Sequence, residues 1–228
     1  MNAPGLLRTT WILLRKDLLL EWRTRARLNA LIFFALATLL LFSFALGPDT
    51  TLLARHGGGY LWLALLFASV LSLGESFRVE QENLCLDGLR LSPTDPQAIF
   101  LSKALGNALL LVFLGLTLLP VMIAIYGIEL KMGLAPLLGI LTLGCTALSA
   151  PGVVYSAIAN HARAKDVLLP LLLFPLVIPA LLAAVKATTL VLQGDPMAQL
   201  GSWVGLLSAF NLIYWGLGLV LFPRVIED

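Results

Sequence analysis

The sequence predicts an all-α integral membrane protein with six transmembrane helices. Of its 228 residues, 59% are hydrophobic and only 12% are charged, whereas about a quarter of the residues of a soluble domain carry a charge. The mean hydropathy is +0.94. The apolar windows are apolar on every side, which disfavours the alternating pattern of a transmembrane β-barrel. Because each spanning helix needs about 20 residues, six spans leave no room for a separate soluble domain.

Charge-free windows place the six spans at residues 28–46, 57–74, 104–128, 132–160, 167–185 and 196–223. Each window is long enough to cross a bilayer, and the longer ones can do so with a tilt or a kink. We therefore divide the chain into an N-terminal segment, 1–27, and a six-helix transmembrane domain, 28–228. A long connection at about 75–103 follows the second span.

The lysines and arginines predict the orientation of the chain. Twelve of them fall on one side of the predicted spans and three on the other, and positive charge in short loops marks the cytoplasmic side. Both termini are therefore expected in the cytoplasm. The net charge of +2 reflects this bias, and no basic stripe with interleaved aromatics predicts nucleic-acid binding. The larger group is Arg8, Arg15, Lys16, Arg23, Arg25, Arg27, Arg78, Arg90, Lys103, Arg163, Lys165 and Arg224, and the smaller is Arg55, Lys131 and Lys186.

The N-terminal segment predicts an amphipathic helix lying in the cytoplasmic membrane interface. Its apolar residues recur at spacings of three and four, and cations lie roughly opposite, where they attract anionic lipid. Such a helix serves either as a topology anchor or as an elbow that also touches a cytoplasmic partner. The apolar stripe is Leu7, Trp11, Leu14, Leu18 and Trp22, and the opposing cations are Lys16, Arg23 and Arg27.

The connection at 75–103 mixes carboxylates with leucines, and Ser92-Pro93 and Asp95-Pro96 end one helix and begin the next. The pattern predicts a short projecting helix that could seat in a groove of a motor subunit, with leucine anchors and a charged rim. A solvated loop would have a similar composition. The candidate contact residues are Glu80, Glu82, Leu84, Leu86, Asp87, Leu89 and Arg90.

Two features of the later spans remain open to more than one interpretation. Pro170, Pro175 and Pro179 lie in the fifth span, where prolines kink a helix unless neighbours satisfy the backbone. They mark either ordinary membrane-helix irregularity or a moving gate. In the sixth span, Gly201, Gly205 and Ala209 form a small-residue ridge, which permits close packing either within the bundle or across a homodimer.

The motifs of catalysis and nucleotide binding are missing from the sequence. None of the five lysines follows a glycine, so there is no phosphate-binding loop and ATP hydrolysis must belong to a partner. The sequence contains no metal-ligand cluster and no nucleophile motif, so it does not predict an enzyme. No ionisable residue lies in the middle of a predicted span, which disfavours an ion-coupled transporter.

Haem needs axial ligands, usually histidine. His56 and His161 fall on opposite sides of the predicted membrane, and His56, beside three glycines, has the sequence surroundings of a turn residue. One copy of the chain cannot therefore supply two histidines on one face. The sequence predicts that the chain binds no cofactor directly.

Four segments carry a resemblance to a known family: RKDLLLEWRTRARLNALIFFALATLLLFSFAL, VEQENLCLDGLRLSPTDPQAIFLSKAL, ANHARAKDVLLPLLLFPLVIPALLAAVKAT and LGLVLFPRVIED. Together they resemble the haem exporter B family of cytochrome c maturation, over nearly the whole chain. The CLDGL stretch and the LLPLLLFPL run leading to AAVKAT are the most specific parts.

The resemblance implies an ABC-2-like permease subunit in the bacterial inner membrane. Its implied partners are a separate cytoplasmic ATPase, haem-handling membrane subunits and a periplasmic haem chaperone, whose haem-loaded form is released by ATP hydrolysis. VEQENLCLDGL occupies the place where such permeases carry an acidic segment against the ATPase, which favours that role for Glu80, Glu82 and Asp87. The alternatives are a non-transporting scaffold for the haem-handling subunits and a direct haem exporter.

Overall fold

The computed structural model describes residues 5–47, 49–82, 95–160 and 165–227. Within these ranges the chain forms seven helices and no strand, and six of the helices are long and apolar enough to span a membrane. The predicted all-α multi-pass membrane fold is confirmed. The helices are α1 Leu6–Thr24, α2 Ala26–Leu46, α3 Thr50–Glu82, α4 Pro96–Tyr126, α5 Leu134–Asn160, α6 Lys165–Gln193 and α7 Leu200–Glu227.

Several helix boundaries differ from the charge-free windows, including both ends of α4, α6 and α7. The helix α1 ends before Arg25, whose φ of 30° lies in the left-handed region, so Arg27 belongs to α2 and not to the N-terminal helix. The helix α3 begins at Thr50, and His56 is therefore helical and not a turn residue. The Asp49 carboxylate starts this helix by accepting hydrogen bonds from the backbone N–H groups of Thr51 (3.0 Å) and Leu52 (3.1 Å).

The helices α3 and α4 are longer than a bilayer requires. With 33 and 31 residues they measure about 50 and 46 Å at 1.5 Å per residue, against a hydrocarbon thickness of about 30 Å. Both ends of the 75–103 connection are consequently helical. At its second end, the Asp95 carboxylate accepts a 2.9 Å bond from the Gln97 N–H, and Pro96 takes the first turn. The predicted helix start at Asp95-Pro96 is confirmed.

Successive spans run antiparallel, so the bundle has two distinct ends. We call the end that holds α1 and both ends of the 75–103 connection the basic end, and the opposite one the far end. At the basic end Gln97 donates to the Leu219 carbonyl (3.3 Å), and at the far end Gln193 donates to the Arg55 carbonyl (3.3 Å). The helix α5 packs against α3, α4, α6 and α7. It forms the centre of the bundle, whereas α2 and α7 are mostly exposed at its edge.

Glycines of α5 allow α3 to approach closely. A Cβ atom at Gly144 would overlap the Trp62 indole, and one at Gly152 would overlap the Leu73 side chain. The Trp62 ring cannot easily move aside, because it is buried and its Nε1 donates a 2.9 Å hydrogen bond to Thr188 Oγ1 on α6. Trp62 thus joins α3, α5 and α6 in one contact.

We predict that Gly144→Ala destabilises the protein by about 1–3 kcal/mol, the usual cost of overpacking a filled core. The matched control is Gly139→Ala on the same helix, where a new Cβ meets no atom within 4 Å and alanine is favoured by about 1 kcal/mol in a helix interior. Thermal unfolding of both purified variants measures the difference. Equal melting temperatures for the two variants would show that the Trp62 contact does not limit the packing.

Candidate functional site

The helix α1 packs on α4 through a mostly polar face. Thr10, Leu14, Asp17 and Glu21 are buried or half-buried, and their spacing of four, three and four places them on one side of the helix. Leu14 lies against Gly106 of α4. The rest of the predicted apolar stripe faces outward, and its members Leu7, Trp11, Leu18 and Trp22 are exposed.

Two ion pairs hold this face to the bundle. Asp17 Oδ2 lies 3.2 Å from Lys103 Nζ of α4, and Glu21 Oε2 lies 3.0 Å from Arg27 Nη1 of α2. Lys16 also contacts Asp17, at 3.2 Å. The charge pattern predicts Lys103 in a loop, but the residue lies two turns inside α4 and its side chain is only 8% exposed. A buried ammonium needs a carboxylate partner, and α1 supplies it.

A chain of hydrogen bonds continues from Arg27 into the bundle. Its guanidinium donates to the backbone carbonyl (2.9 Å) and the hydroxyl (2.7 Å) of Ser72 on α3. The Ser72 hydroxyl donates to Asn107 Oδ1 on α4 (3.0 Å), and Asn107 Nδ2 donates to the Ser149 hydroxyl on α5 (3.1 Å). The Ser149 hydroxyl ends the chain at the Ala104 carbonyl, 2.6 Å away.

These contacts link five of the seven helices at one end of the molecule. We call the set the polar network; it consists of Asp17, Glu21, Arg27, Ser72, Lys103, Asn107 and Ser149. Sequence reasoning missed it. The available signal was the spacing of four residues that puts Asp17 and Glu21 on one face of α1, and Lys103 and Asn107 on one face of an otherwise apolar α4.

The network surrounds a cavity of about 50 Å³ lined in part by Asp17, Glu21, Arg27 and Lys103. Burial raises the pKa of the Glu21 carboxyl, and Arg27 offsets part of that rise. Within the described residues, Glu21 Oε1 and Arg27 Nε have no hydrogen-bond partner. The cavity is far below the roughly 300 Å³ of a small-molecule site. The arrangement therefore suits mechanical linkage between helices better than ligand binding.

The predicted ATPase contact segment is only partly described. The α3 backbone reaches Glu82 as a continuous helix, so Glu80 and Glu82 lie on an extension of the second span at the basic end. Leu84, Leu86, Asp87, Leu89 and Arg90 lie outside the described residues. Their role stays a prediction.

The helix α6 runs unbroken through its three prolines. Pro175 and Pro179 are exposed on the outer side of the bundle and Pro170 is half-buried. On α7, the small-residue ridge of Gly201, Gly205 and Ala209 is exposed, and a Cβ at either glycine would meet no atom within 4 Å. Among the described residues, this ridge makes no close contact with another helix.

His56 is exposed at the far end, while His161 lies outside the described residues. The described ranges contain no group of three histidine, cysteine or carboxylate side chains that could hold a metal ion. Cys145 is buried inside α5.

Arg27 is expected to matter more for stability than its partner Glu21. Arg27→Met removes three contacts and leaves the Glu21 carboxylate buried without a counter-ion, a change that costs about 3–5 kcal/mol. Glu21→Gln leaves Arg27 with its two hydrogen bonds to Ser72 and with the charges of Glu75 and Asp17 nearby, and we expect a loss of about 1 kcal/mol. Thermal unfolding of the purified variants measures both. Similar losses would contradict the central position of Arg27 in the network.

Comparisons with known proteins match nearly the whole chain. The family model described as CcmB protein matches residues 8–223. Heme exporter protein B of Pseudomonas aeruginosa is 34% identical over 88% of this chain and 90% of its own length. The protein of the same name from Bradyrhizobium diazoefficiens is 31% identical over 88% and 89%, and that from Rhodobacter capsulatus is 33% identical over 75% and 78%. This multi-pass membrane protein, with its polar network at one end of the bundle, therefore belongs to the CcmB protein family.

Proposed function

We propose that the chain is the membrane permease subunit of an ABC-type complex for cytochrome c biogenesis, in the inner membrane with both termini cytoplasmic. It couples ATP hydrolysis by a partner ATPase to haem delivery, through release of a haem-loaded periplasmic chaperone. The observation that carries this proposal is the polar network, which ties α1 to α2 and α4 by ion pairs at the same end of the bundle as the acidic segment.

Coupling requires that a push on the basic end reach the membrane spans. The helix α3 runs without interruption from Glu82 to Thr50, and α4 begins directly after Asp95. Both helices also carry network residues, Ser72 and Asn107, which hydrogen-bond to each other. Because packed helices move as rigid elements, a partner that displaces 75–103 moves α3 and α4 together with α1.

Several features support a division of labour among subunits. The sequence has no phosphate-binding loop, so ATP is assigned to the cytoplasmic partner. The two histidines fall on opposite sides of the predicted membrane and cannot ligate haem together on one face, so haem is assigned to the haem-handling membrane subunits. The exposed ridge of Gly201 and Gly205 fits a second copy of the chain.

A scaffold is the second candidate function, in which the chain holds the ATPase and haem-handling subunits together without moving. It is favoured by the last bond of the described hydrogen-bond chain, in which Ser149 donates back to the Ala104 carbonyl of α4. Direct haem export, the activity after which the relatives are named, is the third possibility.

The ATPase contact is tested by the triple reversal Glu80→Lys, Glu82→Lys and Asp87→Lys. We expect at least about a tenfold loss of ATPase affinity, because opposed charges at an interface rim become like charges. The neutral triple variant Glu80→Gln, Glu82→Gln and Asp87→Asn should bind the ATPase with an affinity between those of the reversal variant and the wild type. Co-purification of the ATPase with membrane-inserted protein is the measurement. Unchanged ATPase binding and unchanged cytochrome c maturation after the reversal would rule out the coupling role.

Locking α6 separates a moving subunit from a scaffold. Phe67 of α3 and Phe174 of α6 have ring centroids 6.0 Å apart, so cysteines at these positions can be joined by a short bifunctional reagent after Cys85 and Cys145 are replaced. We expect the lock to stop chaperone release. The matched control joins Ile178 to Leu182, two exposed residues of α6 alone. Normal release from the locked protein would favour the scaffold.

A further inference from the structure

A depression of about 530 Å³ opens at the far end of the bundle. It lies between the start of α3, the segment that joins α4 to α5, and the end of α6. Its lining includes Arg55, Glu129, Lys131 and Gln193, together with the apolar residues Ile128 and Leu192. The volume falls in the range of ligand pockets, about 300–1,000 Å³.

Backbone contacts hold the three walls together. Gln193 donates to the Arg55 carbonyl (3.3 Å), which joins α6 to α3. The Met132 N–H donates to the Val191 carbonyl (3.3 Å), which joins the connecting segment to α6. Gly57 leaves room for the Ile128 side chain, whose Cδ1 would lie 3.0 Å from a Cβ at that position. Since none of these contacts uses the charged groups of Arg55 or Lys131, both cations can be replaced without dismantling the walls.

The two cations of the depression have no carboxylate partner in the described part of the chain. Asp49 and Asp195, the neighbouring acids at this end, are committed to helix starts: Asp49 accepts from Thr51 and Leu52, and Asp195 accepts from the N–H groups of Gln199 (2.9 Å) and Leu200 (2.8 Å). Glu129 forms no ion pair with either cation. Arg55 and Lys131 are both exposed and can bind an external anion.

The floor of the depression is apolar. Ile128 is 7% and Leu192 2% exposed, and half-buried Ala54 continues the same surface. Two cations at the edge of an apolar floor select a ligand that carries carboxylate or phosphate groups beside short apolar groups. An acidic polypeptide segment has this composition, and Arg55 in particular can bind a carboxylate in bidentate geometry.

The position of the depression favours a soluble ligand over a lipid. Its walls come from α3, α6 and the segment after α4. The helices α2 and α7, which form the exposed edge of the bundle, contribute no lining residue. All of its lining residues lie in the connecting segment, in the first two turns of α3 or at the last two positions of α6, so the depression is at the end of the bundle and not midway along a span.

We propose that this depression docks an acidic segment of a soluble protein on the far side of the membrane, with Arg55 and Lys131 as its anion-binding residues. This inference rests on the proposed function for the identity of that side, which is the periplasm. The docking surface is separate from the polar network, which lies at the opposite end of the bundle.

The test uses the assembled complex in lipid nanodiscs of neutral lipid, with the soluble domain of the periplasmic haem chaperone as the probe. We expect the double reversal Arg55→Glu with Lys131→Glu to weaken chaperone binding by about tenfold or more at low salt. The control is Lys186→Glu, the third cation of this half of the molecule, which is exposed on α6 but does not line the depression. It should leave the dissociation constant within about twofold of wild type.

Equal chaperone affinities for the double reversal, the control and wild type would overturn the proposal. The proposal would also be overturned if added phosphatidylglycerol weakened chaperone binding but the double reversal did not. The anion in contact with the chain would then be a lipid. ATPase co-purification is measured on the same samples. If the ATPase stays bound while the reversal has no effect on the chaperone, the docking proposal alone fails; if the wild-type complex does not bind the ATPase, the proposed function fails.

Discussion

Pairing of buried charge determines how the basic end of this protein is built. Lys103 lies inside α4 with a side chain only 8% exposed, and an unpaired ammonium there would cost several kcal/mol. The acidic face of α1 removes that cost by supplying Asp17, and Glu21 does the same for Arg27. The position of α1 therefore follows from the electrostatic needs of α2 and α4, and its outward apolar face is left for the membrane interface.

Close packing between the spanning helices stabilises the bundle in addition to the ion pairs. Association of helices in lipid gains little from hydrophobicity, so small residues and interhelical hydrogen bonds must supply the contact energy. The glycines of α5 bring α3 close enough for Trp62 to reach Thr188 on α6. The two edge helices lack this degree of burial, and they present surfaces on which further subunits of a complex can pack.

Composition and periodicity were sufficient for the number and type of the spans, because bilayer thickness imposes one length on every spanning helix. Helix ends were harder to predict. A search for charge-free windows stops at Arg55, although α3 includes Arg55 and begins at Thr50. It also places Lys103 in a loop, although Lys103 belongs to α4.

The polar network could not be predicted from local sequence patterns. Its partners Asp17 and Lys103 are 86 positions apart (103 minus 17), and no local pattern shows that two such distant residues are in contact. The periodicity of α1 did reveal an apolar stripe, but not that Leu14 of that stripe would face the bundle together with Asp17 and Glu21.

The junction between α1 and α2 consists of a single residue, Arg25, held at a positive φ of 30°. The left-handed region costs a non-glycine residue about 1–2 kcal/mol, so the ion pairs of α1 with α2 and α4 must hold the joint in this conformation. Because a single residue separates the two helices, α1 cannot move away from α2 as a helix on a long glycine linker could. A rotation of α1 must therefore either change the backbone angles of Arg25 or turn the first residues of α2 with it.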